Sequence, residues 1–320
     1  MIFLMVLFII FILFLIGLTV YPIETKSLRS YSKIKFSYKE SIDHIKQDIA
    51  NDPDNIADYG HSILMTHGAK CERAVVFYHG YTNCPRQYED LAKIFFDKGY
   101  NVYVPRVPYN GVNDLYTKEI GKLTISDIKQ VCDISVDIAC GLGDKVTVFG
   151  LSMGGVMSAY NAQFRDDVEQ AFVVVPSFGW YFLPGIIKPL VNVSFLFPNQ
   201  FFWWDPVKKD NRPCPYSMYH HFSTHGMAHI LRLGLSVLRA AKKTGPRTKK
   251  IVVMTNDLDI AVDAKSTEEL VKSWKKSNAS IEWYRFSKDL DMEHDIIDPL
   301  HPYSKPALVY SKILEYVDRL

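Results

Sequence analysis

The segment Gly150-Leu-Ser-Met-Gly-Gly155 has the pattern G-x-S-x-G, in which a serine hydroxyl can act as a nucleophile. An apolar β-prone run, 146–149, precedes it, and a helical pattern, 153–165, follows it. Small residues on both sides of the serine let the backbone turn sharply, so that Ser152 projects above a sheet at the start of a helix. A helix N-terminus also favours negative charge that develops beside it. We therefore predict Ser152 as a catalytic nucleophile.

A serine hydroxyl needs a histidine to take its proton and a carboxylate to orient that histidine. Around this kind of turn the usual chain order is serine, acid, histidine. The predicted strand 251–255 is followed by a loop that offers two carboxylates, Asp257 and Asp259. We predict Asp259 as the acid, because the step Asp-x-x-Val into the next helix matches the usual acid position. Asp257 is the alternative.

The chain contains ten histidines, and two of them lie beyond these acids, His294 and His301. His294 is in the loop that follows the predicted strand 281–286, directly before the last helical stretch. We predict His294 as the base. His301, at the start of the final helix and next to Pro302, is the alternative.

Two backbone N–H groups are expected to bind the oxyanion of the tetrahedral intermediate. The residue after the nucleophile, Met153, supplies the first. The second comes from the loop His79-Gly-Tyr-Thr82, which follows the predicted strand 74–78; its glycine permits the turn, and the N–H of Tyr81 can point inward. Because His79 lies ahead of the nucleophile in the chain, we predict a structural hydrogen-bonding role for it.

The elements that carry these residues alternate between strand and helix. The predicted strands are 62–66, 74–78, 102–105, 146–149, 171–175, 251–255 and 281–286. The predicted helices are 85–98, 126–140, 153–165, 264–277 and 303–318. Several strands are continuous apolar runs, as a parallel sheet covered on both faces requires. The sequence predicts a doubly wound, mostly parallel α/β sheet.

One stretch interrupts the alternation. About seventy residues between Val175 and Ile251 contain no convincing strand and are rich in aromatic residues, including Phe201-Phe-Trp-Trp204. A structureless loop of that length is improbable in a compact domain. We therefore predict an inserted cap at 176–245, whose aromatic side chains either bind an apolar group or pack the cap onto the sheet.

The first twenty residues contain no charged side chain and are long enough to span a bilayer core as a helix. We predict an uncleaved transmembrane anchor at 1–22, with a cleaved signal peptide of a secreted protein as the alternative. Basic residues follow it at 26, 29, 33 and 35, and the positive-inside rule would place the domain in the cytoplasm; the side of the membrane is left open. A polar stem at 23–61, with an amphipathic helix at 38–49, leads to a domain at 62–320.

Composition excludes several classes of protein. Thirty-seven Lys and Arg against 35 Asp and Glu give a net charge of +2, too small to support nucleic-acid binding. Five scattered cysteines indicate neither a disulfide framework nor a zinc site. His221, His225 and His229 are spaced for one helical face, but no carboxylate or cysteine joins them at ligand spacing. We predict neither a metal nor a cofactor.

The motifs resemble the α/β-hydrolase superfamily, and more closely its carboxylesterase and monoacylglycerol-lipase-like branch. The resemblance covers about residues 62–320 and rests on Phe77-Tyr-His-Gly-Tyr-Thr82, Pro105-Arg-Val-Pro-Tyr-Asn-Gly111, Gly150-Leu-Ser-Met-Gly-Gly155 and His294. It implies that the H-G-aromatic-T loop donates an oxyanion N–H, here that of Tyr81. Two departures are visible: the usual P-x-x-x-G-H-G loop lacks its histidine after Gly111, and Glu293 replaces a glycine that often precedes the catalytic histidine.

The resulting hypothesis is a serine hydrolase that cleaves carboxylic esters with an apolar acyl group, through Ser152, His294 and Asp259 and an acyl-enzyme. A peptidase of the same fold is an alternative, although the predicted cap has only two acidic residues, Asp205 and Asp210, to hold a substrate ammonium. An acyltransferase would use the same triad. A non-catalytic binding protein is the alternative from another class, and the intact triad argues against it.

Overall fold

The computed structural model describes residues 2–29, 33–182 and 186–319. Met1 of the predicted anchor, 30–32 of the predicted stem, 183–185 of the predicted cap and Leu320 lie outside the described residues.

A mostly parallel sheet of seven strands forms the centre of the described chain. Its strands are β1 (Ile63–Met65), β2 (Cys71–Tyr78), β3 (Tyr100–Val104), β4 (Gly143–Leu151), β5 (Gln170–Val174), β8 (Lys250–Asn256) and β9 (Ser280–Phe286). The spatial order is β1-β3-β2-β4-β5-β8-β9, and only the pairing of β1 with β3 is antiparallel. All seven predicted strands are confirmed, with ends shifted by up to three residues.

Helices cover both faces of this sheet. The helices of the described residues are α1 (Ile2–Val20), α2 (Tyr38–Ala50), α3 (Glu89–Asp97), α4 (Ile125–Leu142), α5 (Met153–Phe164), α6 (Ile187–Leu196), α7 (Thr224–Ala241), α8 (Ala264–Trp274) and α9 (Pro306–Val317), of which α1 and α6 lie away from the sheet. The predicted helix at 85–98 is divided into a 3₁₀ turn, Pro85–Tyr88, and α3. The other four predicted helices, and the amphipathic helix α2, are confirmed.

The alternation of side chains along β5 shows how the core divides into two layers. Ala171 and Val173 face the layer that contains α4, α5, α7 and α8, whereas Phe172 and Val174 face the layer that contains α3 and α9. Every residue of β5 is buried. A strand buried on both faces is apolar throughout, which explains why the sequence pattern identified the sheet.

The chain between β5 and β8 contains more regular structure than the aromatic pattern suggested. β6 (Phe201–Trp203) and β7 (His221–Ser223) form a two-stranded antiparallel sheet, and α6 precedes them. α7 packs against α4, α5 and α8. The last part of the predicted cap range 176–245 therefore lies in the helical layer of the main sheet, which narrows the proposed cap to about 176–223.

The N-terminal helix α1 is long and apolar enough to cross a membrane, and it is the one such helix in the described chain. Most of its side chains are exposed. Its C-terminal end contacts α6, where the Asn192 side-chain amide donates to the carbonyl oxygens of Leu18 (2.7 Å) and Tyr21 (3.3 Å). Arg232 and Arg239 of α7 donate to the carbonyl oxygens of Glu24 and Ile23. The segment after α1 is thus bound to the domain.

The predicted stem at 23–61 also packs onto the domain through α2. Ile45 is fully buried, and the Ser41 hydroxyl donates to the carbonyl oxygen of Ile138 on α4 (2.9 Å). Beyond α2, the Arg106 guanidinium donates to the Asp52 carboxylate (2.9 Å). Through these contacts α2, which lies within the predicted stem, packs against α4 of the domain.

Candidate active site

Ser152 occupies a sharp turn between β4 and α5. Its φ of 60° and ψ of −115° lie in a region that non-glycine residues rarely adopt. The turn is closed by two hydrogen bonds: the Ser152 N–H donates to the carbonyl oxygen of Val174, and the Ser152 carbonyl accepts from the N–H of Ser177, each at 3.0 Å. The predicted strand, turn and helix around the serine are confirmed.

Two glycines of the motif are required in this turn, because there is no room for a side chain at either position. A β-carbon on Gly150 would overlap the carbonyl oxygen of Gly154, and one on Gly154 would overlap the carbonyl oxygen of Tyr78. The close approach of these backbones places the Ser152 side chain above the carboxyl ends of β2 and β4.

Asp259 and His294 meet on two loops that follow adjacent strands, β8 and β9. Asp259 Oδ2 lies 2.6 Å from His294 Nδ1, and Asp259 Oδ1 accepts from the N–H groups of Ala261 (2.8 Å) and Val262 (3.3 Å). The Asp259 side chain is 4% exposed and that of His294 is 25% exposed. With the carboxylate ionised, Nδ1 carries the proton and donates it, which leaves Nε2 free to act as a base.

The alternative acid, Asp257, has a different partner. Asp257 Oδ1 accepts from Arg285 Nε (2.9 Å) and Nη2 (2.8 Å) on the neighbouring strand β9. Both side chains are more than a third exposed to solvent. The structure therefore brings Asp259, and not Asp257, to His294.

The pKa of His294 is raised above its ordinary value of 6.5 by two nearby carboxylates. Burial by itself would lower this pKa, because it disfavours the charged imidazolium. The charge and hydrogen bond of Asp259, together with the charge of Asp295, outweigh burial and the opposing charge of Arg212. The site therefore stabilises the imidazolium that forms when His294 accepts a proton.

Ser152 and His294 line the same pocket, together with Gly80, Tyr81 and Leu151. No hydrogen bond between the Ser152 hydroxyl and the His294 imidazole is formed within the described chain. Such bonds are often long in free enzymes and shorten when substrate binds. The predicted nucleophile and the predicted base therefore lie in the wall of one cavity.

The two predicted oxyanion donors also lie beside Ser152. Met153 is the first residue of α5, and Tyr81 lines the pocket on the loop after β2. Neither N–H donates to another group of the described residues. Unpaired N–H groups at this position are available to a developing oxyanion.

The two other candidate histidines are buried beside the site in different roles. His79 Nδ1 donates to the carbonyl oxygen of Gly80 (2.9 Å), and its Nε2 accepts from the N–H of Val107 (3.1 Å), which confirms the predicted structural role. Burial lowers the pKa of His79 to about 4, so it is neutral. His301 also lines the pocket, but its nearest carboxylate oxygen, on Glu293, is 3.9 Å away, and burial lowers its pKa.

Sequence reasoning missed three polar side chains that line the pocket and the part of its wall outside the predicted aromatic residues. Asn83, Gln87 and Asp295 form a buried hydrogen-bonded group next to His294. The remaining wall includes Trp180, Trp204, Arg212, Met218, Met227 and Val262. The position of Asp295 directly after the predicted base was a signal for it, whereas Gln87 is distant in sequence and had none.

The proposed cap is attached to both loops of the site. Trp204 Nε1 donates to the Thr82 hydroxyl (2.9 Å), and the N–H of Tyr219 donates to the carbonyl oxygen of Thr82 (2.8 Å). On the other side, Trp180 forms an antiparallel bridge with Val262, close to Asp259. These contacts bring Trp180 and Trp204 of the proposed cap into the wall of the pocket that contains Ser152.

No protein-family model and no curated protein matches this sequence. Similar solved structures include one from work on two metagenome-derived lipolytic enzymes, LipS and LipT, with TM-score 0.63 and 16% identity over 83% of this chain and 100% of that chain. A monoacylglycerol lipase from Paleococcus ferrophilus aligns with TM-score 0.59 and 17% identity, over 80% and 97% of the two chains. A soluble variant of monoglyceride lipase from Saccharomyces cerevisiae aligns with TM-score 0.60 and 13% identity, over 81% and 91%.

These alignments, together with the strand order, show that the chain has the α/β-hydrolase fold. The fold predicted from the sequence is confirmed.

Proposed function

We propose that this protein is a serine hydrolase that cleaves carboxylic esters with an apolar acyl group. The observation that carries the proposal is the 2.6 Å contact between His294 Nδ1 and Asp259 Oδ2 in the pocket that also contains Ser152. A paired histidine and carboxylate beside a serine on a strained strand-to-helix turn is the arrangement that activates a hydroxyl. The lipolytic activities of the structural relatives above agree with this proposal.

The proposed reaction proceeds through an acyl-enzyme. The Ser152 oxygen attacks the ester carbonyl carbon while His294 Nε2 takes the hydroxyl proton, and the N–H groups of Tyr81 and Met153 stabilise the oxyanion. The intermediate collapses, and the alcohol leaves with the proton from His294. Water then attacks the acyl carbon, gives its proton to His294, and releases the acid as Ser152 regains its proton. Asp259 holds the Nδ1 proton and stabilises the imidazolium throughout.

The walls of the pocket support an apolar acyl group as the substrate class. Indole and thioether side chains line the cavity that contains Ser152: Trp180, Trp204 and Met218 from the proposed cap, and Met227 from α7. The cavity has a volume of about 100 Å³. An apolar cavity of about 150 Å³ accommodates benzene, so a cavity of this size fits a chain of several carbon atoms. This favours a short or medium acyl chain.

A series of 4-nitrophenyl esters tests the proposal directly. We expect hydrolysis, with kcat/KM rising about fourfold for each added methylene from acetate to hexanoate, because each buried methylene contributes about 0.8 kcal/mol. We expect kcat/KM to fall for hexadecanoate, which exceeds the cavity. Initial rates at equal enzyme concentration, with Ser152→Ala protein as the background, measure this. No hydrolysis of any ester contradicts the proposed function, and a strict preference for acetate contradicts the apolar acyl site.

The proposal includes a membrane location through α1. An apolar helix of 19 residues spans about 28 Å, close to the thickness of a bilayer core. Exposed apolar side chains also lie on and beside α6, where α1 contacts the domain: Phe182, Ile186, Phe195, Leu196 and Phe197. An enzyme held at this surface would meet lipophilic esters where they partition.

Alkaline carbonate extraction of cells that express the full chain tests this location. We expect the protein to stay in the membrane pellet at its full mass of 36.7 kDa, because α1 is a transmembrane helix. A peripheral protein of known behaviour serves as the extraction control. Recovery of a soluble, secreted form shortened by about twenty residues would instead identify the N-terminal segment as a cleaved signal peptide.

A further inference from the structure

Buried side chains hold the backbone of the loop that carries the Tyr81 N–H. The carbonyl oxygen of Gly80 accepts from His79 Nδ1 (2.9 Å) and from the N–H of Asn83 (3.1 Å). The Gly80 carbonyl and the Tyr81 N–H belong to one planar peptide unit and point in opposite directions. Fixing the carbonyl therefore fixes the direction of the N–H.

The other face of this loop is held by amide side chains. Asn110 Nδ2 donates to the carbonyl oxygens of Tyr81 (2.6 Å) and Asn83 (2.8 Å). The Gly80 N–H donates to Gln87 Oε1 at 2.8 Å. The peptide unit that carries the Tyr81 N–H is thus restrained on both sides, while that N–H has no partner among the described residues.

Gln87 extends this restraint to the loop that carries His294. Its Nε2 donates to Asp295 Oδ2 at 2.7 Å, and both side chains are buried. Asp295 Oδ1 accepts from the N–H groups of Ile297 and Asp298, each at 3.1 Å, which fixes the carboxylate within its own loop. Two buried amides therefore connect the base loop to the Tyr81 loop: Gln87 and, with a longer bond of 3.4 Å to the same Asp295 oxygen, Asn83 Nδ2.

We propose that Gln87 and Asp295 are positioning residues that keep the Tyr81 N–H at a fixed position and direction relative to His294. This inference rests on the proposed function, because it assigns the Tyr81 N–H to the oxyanion. Both side chains line the pocket, but we assign neither to the reacting atoms: Gln87 acts through the Gly80 peptide, and Asp295 acts on the Tyr81 loop through Gln87. An error of about 1 Å in the position of a catalytic group lowers rates about 10²-fold, so a link of this kind has a measurable effect on turnover.

The substitution Gln87→Met tests the link, because methionine has a similar shape but neither the acceptor for Gly80 nor the donor for Asp295. We expect kcat for 4-nitrophenyl hexanoate to fall between tenfold and a hundredfold, with KM changed less than threefold. We expect the inhibition constant of a trifluoromethyl ketone, whose tetrahedral adduct carries an oxyanion, to rise by the same factor as kcat falls. A purely structural role would not produce this matched change.

Gln163→Met is the matched control. Gln163 is equally buried, with Oε1 accepting from Trp274 Nε1 (2.7 Å) and Nε2 donating to the carbonyl oxygen of Gly245 (3.1 Å). It lies at the C-terminal end of α5, opposite the end that carries Ser152, and does not line the pocket. We expect it to lower thermal stability while leaving kcat and the ketone inhibition constant unchanged. Unchanged values in folded Gln87→Met, or equal changes in both variants, would overturn the inference.

Hydrogen exchange tests the link without reference to activity, on the full chain in detergent. In Asp295→Asn, the asparagine oxygen can still accept from the Ile297 and Asp298 N–H groups. The new NH₂ group then faces Gln87 Nε2, which is also a donor, so the two side chains no longer form a hydrogen bond. Gln87 can restore this bond by rotating its side-chain amide, so that Oε1 accepts from the new NH₂ group. The Gln87 NH₂ group then faces the Gly80 N–H, which loses its acceptor. We expect peptides covering 79–83 to exchange at least tenfold faster in both Asp295→Asn and Gln87→Met, and wild-type rates in Asp295→Asn would overturn the link.

The turnover measurements and the hydrogen-exchange measurements together distinguish a failure of this inference from a failure of the proposed function. A wild-type protein that hydrolyses no ester contradicts the function, whereas the exchange rates still decide whether Asp295 restrains Gly80. An active wild type with unaffected Gln87→Met turnover contradicts the inference alone.

Discussion

Ser152→Ala protein is expected to lose about 10⁵- to 10⁶-fold in kcat for 4-nitrophenyl hexanoate and to give no labelling with a fluorophosphonate probe. Without the hydroxyl no acyl-enzyme forms, and what catalysis is left comes from the oxyanion donors and substrate binding. Alanine at φ 60° keeps some of the backbone strain of the turn, but it makes no new contact in the pocket. Burst kinetics and gel fluorescence measure the two effects.

Ser158→Ala is the matched control for this experiment. Ser158 lies on α5, the helix that follows Ser152, is fully buried, and donates to the carbonyl oxygen of Val148 (3.4 Å), away from the pocket. We expect wild-type labelling and turnover from it. Labelling that persists in folded Ser152→Ala would show that another residue is the nucleophile.

Asp259→Asn is expected to lower kcat/KM about 10⁴-fold, whereas Asp257→Asn is expected to change it less than threefold. The asparagine oxygen can keep the bonds to the Ala261 and Val262 N–H groups, so the loop is retained. Its NH₂ group then faces His294 Nδ1 and selects the tautomer that has its proton on Nε2, which cannot accept the serine proton.

Asp257→Asn is a control on the same loop, with the same change of charge. Its ion pair with Arg285 is largely exposed, and pairs of this kind contribute about 0–1 kcal/mol to stability. Circular dichroism melting of both variants checks the fold. Equal losses of activity in the two variants, or a large loss only in Asp257→Asn, would contradict the assignment of Asp259.

The pH dependence of kcat/KM in the wild type and in Asp259→Asn provides a second measurement. His294 accepts a proton only when neutral, so kcat/KM falls as pH decreases through its pKa. Because Asp259 and Asp295 raise this pKa, we expect the wild-type inflection above 6.5. In Asp259→Asn burial and Arg212 persist while the main raising charge is gone, so the inflection of the residual activity should move to lower pH. An inflection that does not move would contradict the pairing of His294 with Asp259.

Local patterns in the sequence were sufficient for the sheet and for the serine turn. The apolar runs of β4 and β5 identify buried strands, and the glycines at 150 and 154 identify a turn that excludes side chains. Helix α7 also has a local signal, since Ile230, Leu231, Gly234 and Val237 follow helical spacing and are buried or packed against Phe178. The aromatic content of the surrounding segment obscured this signal, so the predicted cap range 176–245 includes α7.

Pairings across the chain could be decided only by the tertiary structure. Asp257 and Asp259 are two residues apart on one loop. Only the direction of that loop relative to β9 determines that Asp257 contacts Arg285 and that Asp259 contacts His294. Gln87 and Asp295 are separated by 208 positions, so no periodicity or motif connects them. The sequence thus determined which residues could do chemistry, because propensity and glycine spacing are local. The packing of loops from distant strands determined which of them meet.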